Sequence, residues 1–201
     1  MNLADLTTEL GARGFDYLTE ARRTYFLNQA YLTDICESEE WPFLEATSTG
    51  SSPLTISDLR VIESVIDTDQ QVKLTPLTRK AITDLSPDLS LTGNPESYYL
   101  TSGNTVNTWP ASTNSLTVRY HKVPTELSSP SDTPLLPSRW QYLIVEGAVK
   151  RAYEDDDEYA AAQAADALFQ VRLQAMRDSL LHQQHDRPSS FILQTDIEPA
   201  G

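Results

Sequence analysis

The chain has 201 residues, of which 39% are hydrophobic and 22% are charged, so its composition is that of a globular protein and not of a disordered chain. With 15 Lys and Arg against 29 Asp and Glu, the formal net charge is −14, which argues against a general duplex-binding protein and against docking on an anionic membrane. The single cysteine, Cys36, excludes an intrachain disulfide and a cysteine-rich zinc site.

The N-terminal segment is predicted to form two helices. Leucines recur at helical spacing between residues 2 and 13, and two glycines then interrupt the pattern. A second, amphipathic helix is predicted from Asp16, acting as its N-cap, to Cys36. We place Asn28 in it as a polar interruption of the apolar stripe. The stripe itself comprises Leu18, Ala21, Tyr25, Leu32 and Ile35, widened by Leu27 and Tyr31.

The chain from Trp41-Pro42 to about residue 137 is rich in Ser, Thr and Pro and is predicted to alternate between short strands and turns. Proline ends the preceding helix because it cannot continue one. The predicted strands lie at 43–47, 58–66, 72–74, 98–101, 105–109 and 115–123, and a short helix at 77–85 is opened by Pro76. Ser102-Gly103-Asn104 is predicted to be a three-residue hairpin loop.

Helix is predicted again after a proline-rich bridge at 124–137. One segment covers 138–153, and a longer one covers 158–186 after the acidic run Glu154–Glu158. The longer helix is rich in alanine in its first half, so a neighbour can approach it closely. Its apolar positions are Tyr159, Ala162, Ala165, Phe169, Leu173, Met176 and Leu180. Arg187-Pro188 ends the helix, and residues 189–201 form a tail.

The predicted fold class is α+β, mainly α-helical: an antiparallel helix bundle with a small β-rich insertion between the second and the C-terminal helices. Four segments follow: N-terminal helices at 1–40, the insertion at 41–137, C-terminal helices completing the bundle at 138–187, and an extended docking tail at 188–201. The side chains expected to be mostly buried are Leu18, Tyr25, Ile144, Phe169 and Leu173. Trp41 and Trp140 are interpreted as core anchors, whereas Trp109 suits a core or a contact surface.

No motif in the chain indicates a catalytic, cofactor or metal site. GxSxG, GxxxxGK[ST] and GxGxxG are all missing, although this does not exclude an enzyme whose site is built by the fold. His182 and His185 could hold a metal, but zinc needs further ligands, so histidines placed at a helix end are the preferred interpretation. The acidic run lacks the spacing of a calcium loop and is interpreted as a solvated helix start that acts through its field.

Several short motifs occur in an order that is informative as a set. Trp41-Pro42-Phe43-Leu44 follows the helical N-terminus, and the strand Leu116–Pro124 (LTVRYHKVP) leads into Ser131–Trp140 (SDTPLLPSRW). Gly147–Tyr153 then supplies a Gly-Ala and Ala-Tyr pair before the Ala-rich helix. In this order the chain resembles the head-to-tail connector (adaptor) proteins of tailed bacteriophages over most of residues 16–182.

The resemblance implies a structural virion protein with no catalytic residues and no cofactor. It would form a ring of twelve subunits beneath the portal at the head–tail junction, or neck, after synthesis in the cytoplasm of the bacterial host. Its partners would be its own copies, the portal protein and a downstream tail or stopper protein. Double-stranded DNA would pass through the ring without sequence-specific binding, and a negative lumen would repel its backbone. No membrane partner is expected, since no apolar run approaches the length of a span.

The tail is the predicted partner-binding element, through Phe191, Ile192 and Leu193. So short a segment cannot build its own core, so these apolar residues need a cover. The hypothesis is that they insert into the portal or an adjacent ring; the alternative is that they fold back on their own subunit. The alternative function is another acidic tail or baseplate interaction module that is also non-enzymatic.

Overall fold

The computed structural model describes residues 1–85 and 91–185. Most of the helices lie near the two ends of the described chain, and the strands lie between them. The helices are α1 (Leu3–Leu10), α2 (Glu20–Gln29), α3 (Arg79–Leu85), α4 (Tyr142–Asp155) and α5 (Tyr159–His185). Wider π-helical turns extend α1 through Gly11–Phe15 and α2 through Ala30–Cys36. Single 3-10 turns lie at Pro42–Leu44 and Ser138–Trp140.

Eight strands in the described residues form two four-stranded sheets. They are β1 (Glu45–Ser51), β2 (Leu54–Thr55), β3 (Leu59–Asp67), β4 (Val72–Lys73), β5 (Thr75–Pro76), β6 (Ser97–Thr101), β7 (Thr105–Trp109) and β8 (Ser115–Lys122). The strand orders are β1-β8-β3-β4 and β2-β7-β6-β5. Every neighbouring pair is antiparallel except β5 and β6. The predicted hairpin of β6 and β7 is confirmed, since residues 102–104 join them.

Two hydrophobic cores hold these elements. The first lies among the helices, where α4 contacts α1, α2 and α5. A Cβ on Gly147 of α4 would lie 2.8 Å from the Cβ of Ala30, so glycine permits this close helix crossing. The second core lies between the two sheets. Its buried members are Ile56, Val65, Leu74, Tyr98, Val106, Leu116, Val118 and Tyr120.

The predicted helix bundle with a small β insertion is therefore wrong. The protein is a mixed α+β fold, because the middle of the chain forms two sheets that enclose a core of their own. The sequence pattern underestimated the sheets because β2 and β5, which it did not predict, are only two residues long each. A strand of two residues shows no alternation of apolar and polar positions.

The buried face of the α2 segment differs from the apolar stripe that was predicted for it. Tyr25, expected in the core, is 51% exposed, and the Arg22 guanidinium lies 5.4 Å from its ring centroid. Asn28 is buried instead, where its Nδ2 donates to the carbonyl of Leu127 at 2.8 Å and its Oδ1 accepts from the Leu127 amide at 2.9 Å. In the prediction, Asn28 interrupts the apolar stripe. Because Asn28 lies on the buried face, the predicted stripe is centred on the wrong side of the helix. Of the other expected core residues, Ile144, Phe169 and Leu173 are buried and Leu18 is half-buried.

Two predicted helix starts are displaced. Thr19, not Asp16, caps α2, through its side chain and the amide of Arg22. Pro76 pairs with Tyr98 in β5 instead of opening α3, which begins at Arg79. In both cases a cap-like residue stands a few positions before the residue at which helix begins.

The carbonyls at the C-terminal end of the α2 segment accept hydrogen bonds from two side chains that follow it in the chain. The Trp41 indole donates to the carbonyl of Ile35 at 2.7 Å, and Trp41 is fully buried as predicted. Arg60 of β3 donates to the carbonyls of Cys36 and Glu37 at 2.6 and 2.9 Å. Carbonyls at a helix end lack partners within the helix, so both side chains satisfy such carbonyls, and Arg60 in addition attaches the helices to β3. Trp140 is half-buried against the helical core.

Candidate functional site

Helix α5 carries two apolar stripes on opposite faces. The inner stripe, which includes Phe169, Leu173 and Met176, is buried against the helical core. The outer stripe consists of exposed residues at helical spacing: Ala160, Ala164, Ala167, Leu168, Val171 and Ala175. Leu168 is 46% exposed and Val171 is 68% exposed. A helix in contact with its own subunit on one face only would carry polar residues on the other face.

Charge is missing from this outer stripe although the chain is strongly acidic. The residues beside it are Gln163, Gln170 and Gln174. Three of the four charged residues in the described part of α5 pair with other elements of the subunit: Asp166 with Lys150 at 2.9 Å, Arg172 with Glu146, and Arg177 with Glu39 at 3.1 Å. The fourth, Asp178, lies three residues beyond Ala175, at the C-terminal limit of the stripe, and accepts from Gln174 at 2.9 Å. An uncharged, partly apolar face on such a protein marks a contact surface for another protein.

The outer stripe was not identified from the sequence, where only the inner positions were assigned. Its signal is a second set of apolar residues at steps of three and four, offset by two residues from Ala162 and Phe169. Alanine hides such a set because it suits a helix in both buried and exposed positions.

The acidic run Glu154–Glu158 forms the turn between α4 and α5, where Asp157 has a φ of 59°. Arg22 pairs with Asp155, with its Nε 3.2 Å from one carboxylate oxygen. Tyr17 donates to Asp156, and this hydrogen bond is the main cause that raises the pKa of Tyr17 to about 12. Two of the five carboxylates are thus bound by side chains of the N-terminal segment. No group of three or more His, Cys, Asp or Glu in the described residues is arranged to hold a metal.

Replacing all five acids of this turn by their amide counterparts is expected to leave the fold and the assembly intact, because the contacts are at the surface and screened. The melting temperature of the unmodified protein should be the same with calcium as with a chelator. A strong shift on adding calcium would show that the run binds the ion and would contradict an electrostatic role.

Glu146 of α4 is the one charged residue in the described chain that is buried among the helices. One of its oxygens accepts from Arg172 of α5, and the other makes no hydrogen bond within the described residues. Burial raises the pKa of this carboxyl, which Arg172 and Arg13 partly oppose. A buried carboxyl between two helices, paired with an arginine at the edge of the α5 outer face, is a packing contact and not a reactive group.

Of the other candidate site residues selected from the sequence, Cys36 lies in the helical core, and the side chains of the remainder lie outside the described part of the chain. Cys36 is fully buried, and burial raises the pKa of its thiol to about 12, so it is unreactive. The predicted partner-binding residues Phe191, Ile192 and Leu193 lie outside the described residues, as do the side chains of His182 and His185. No α-helix within residues 1–85 and 91–185 has both the length and the apolar character needed to cross a membrane.

The sequence model of the family described as SU10 adaptor protein matches residues 1–193, which include both cores and all of α5. No curated protein matches the chain.

Proposed function

The chain belongs to the SU10 adaptor protein family, and from this premise we propose that its copies form a ring that joins the head to the tail at the portal vertex. Family membership identifies a structural adaptor of a phage, located in the neck of the virion and in contact with other head or tail proteins. It also indicates a non-enzymatic role. The proposal goes beyond the family in four respects: the ring, its contact with the portal, its contact with a downstream tail or stopper protein, and the DNA channel.

The outer face of α5 is the observation that supports the ring most strongly. Each subunit has one such face, and a head-to-tail contact between this face and a different surface of the next subunit generates a closed ring when the rotation that relates the subunits closes. The small side chains at Ala160, Ala164 and Ala167 allow close approach, and Leu168 and Val171 supply apolar area that is lost from water on contact. We therefore assign this face to the contact between neighbouring copies.

The charge of the chain supports the channel. At −14 per subunit, twelve copies would produce a strongly negative assembly, which repels the phosphate backbone and lets DNA slide. No sequence-specific contact with DNA is required by this arrangement.

Introducing a carboxylate in the centre of the α5 outer face should prevent ring formation. For Val171→Glu we expect light scattering to give the mass of a single subunit, with an unchanged circular dichroism spectrum, because a desolvated charge without a partner disfavours the contact. Val72→Glu is the matched control, since this exposed valine lies on β4, far from α5 in the fold. An unchanged ring mass for Val171→Glu would exclude this face from the contact.

The C-terminal segment is proposed to be the docking element for a neighbouring protein of the particle, through Phe191, Ile192 and Leu193. Deleting residues 189–201 should leave a folded subunit that no longer joins capsids, whereas deleting only 198–201 should have little effect. The measurement is the yield of infectious particles when each variant complements a phage that lacks the protein. Normal yield from the longer deletion would refute the docking role.

A further inference from the structure

The two sheets differ in how their edges are closed. Among the described residues, three of the four edge strands, β2, β4 and β5, have only two residues each. The fourth edge strand, β1, has seven residues and pairs with β8 along its whole length. No strand of the described chain pairs with the opposite side of β1. The backbone amides and carbonyls of residues 46–51 on this side therefore have no partner strand among the described residues.

β1 lacks the features that usually protect an edge from pairing. Its register against β8 runs without a shift from Glu45–His121 to Ser51–Ser115, whereas β3 is irregular at two points against the same strand. Residues 46–51 (ATSTGS) contain no charge and no proline. Charges, prolines and bulges are the means by which natural edge strands prevent the addition of a further strand.

The core side of β1 carries only small residues. Alternate residues of β1, at positions 46, 48 and 50, are partly buried, and they are alanine, serine and glycine. At Gly50 the space is already taken, since a Cβ there would lie 2.8 Å from Leu54 Cδ1. The small side chains of Ala46 and Ser48 on this side of β1 suit a partner strand that carries larger apolar residues at alternate positions.

One segment of the chain outside the described residues has this pattern. Ser189–Ile197 (SSFILQTDI) is bounded by Pro188 and Pro199, contains no glycine and carries a single charge, at Asp196. Phe191, Leu193 and Thr195 alternate along it, as do Ser190, Ile192 and Gln194. We propose that Ser189–Ile197 of one copy of the chain adds as a strand to the free edge of β1 in a neighbouring copy.

The position of α5 supports a neighbouring copy as the acceptor. A helix that packs on the outer face of α5 lies about 8–10 Å away. An extended chain advances about 3.3 Å per residue, so residues 186–190 carry Phe191 up to about 16 Å from the end of α5. The tail is therefore long enough to extend to a subunit packed on the outer face of α5. The inference rests on the proposed docking role of the tail and names its acceptor.

Cross-linking between two differently tagged chains tests the proposal. One chain carries Thr49→Cys on the exposed side of β1 and the other carries Leu193→Cys; after mixing, a short bismaleimide is added. The native Cys36 is buried and does not compete. We expect a covalent product that contains both tags. Lys73→Cys, on the opposite edge of the same sheet, replaces Thr49→Cys in the control and should give none. A chain that carries both cysteines and cross-links only within itself would overturn the inference.

A proline in the tail supplies a second readout. Ile192→Pro should abolish the two-tag product, because proline cannot donate to a strand ladder. Ala200→Pro, which lies beyond Pro199, should retain the product. Retention in Ile192→Pro would show that the tail reaches β1 without forming a strand and would overturn the proposal.

Light scattering of the same samples separates this inference from the ring. A ring without the two-tag product contradicts only the strand addition. A two-tag product in an assembly that is not a ring contradicts only the ring, and single subunits without the product contradict both.

Discussion

Replacing Phe169 by alanine is expected to lower the free energy of unfolding by about 3–5 kcal/mol. The side chain is 1% exposed and lies in the centre of the helical core. Its Cε2 atom would be 3.2 Å from a Cβ built on Gly147, so the ring covers the glycine at which α4 and the α2 segment cross. Removing the ring leaves a cavity that the surrounding helices can fill only in part.

The loss should be measured by urea unfolding, with Phe169→Ala introduced into the Val171→Glu variant. This background is chosen because assembly into a ring would add to the apparent stability of the subunit. Leu168→Ala in the same background is the matched control, and its effect should stay within about 0.5 kcal/mol because the residue is half-exposed. Equal losses at positions 168 and 169 would show that the two stripes of α5 have been assigned to the wrong faces.

Asn28→Leu is expected to be the second most damaging substitution. It removes both hydrogen bonds to Leu127, so a buried amide and a buried carbonyl lose their partner, at a cost of about 1–3 kcal/mol for each group. The bridge 124–137 is also held at the start of α1, where the amide of Leu3 donates to the carbonyl of Asp132 at 2.8 Å. We therefore expect local loosening of the bridge in addition to the loss of stability.

Hydrogen exchange at the Leu127 amide and urea unfolding together check this prediction. Gln29→Leu is the control, since it introduces the same side chain at the neighbouring position, which is only partly buried. Wild-type protection of the Leu127 amide in Asn28→Leu would contradict the role assigned to Asn28.

The elements that sequence predicted correctly are those with a strong local pattern. β8 alternates over eight residues, α5 keeps its inner stripe over most of its length, and the β6–β7 hairpin has a loop suited to its turn. The errors occur where distant residues decide the structure. β5 exists only because Thr75–Pro76 meets β6, and the face of α2 is set by the backbone of Leu127, about a hundred residues away.

The candidate site was predictable in part. The resemblance to phage adaptor proteins is confirmed at the level of the family, whereas the position as head-to-tail connector stays a proposal. The outer face of α5 and the β1 edge were missed because each depends on what the rest of the subunit leaves uncovered. The division into segments at 40, 137 and 187 and the docking role of Phe191, Ile192 and Leu193 remain predictions.

The two cores have a consequence for the order in which the chain folds. The helical core joins residues before Leu44 to residues after Leu127, so closing it from an unfolded chain means closing a loop of about 80 residues. The core between the sheets uses only residues inside that loop. Once the sheets form, the pairing of Glu45 in β1 with His121 in β8 holds the two ends of the loop near each other, and the entropic cost of bringing α2 to α4 falls. Substitutions in the sheet core should therefore slow the formation of the helical core, whereas substitutions such as Phe169→Ala should mainly accelerate unfolding.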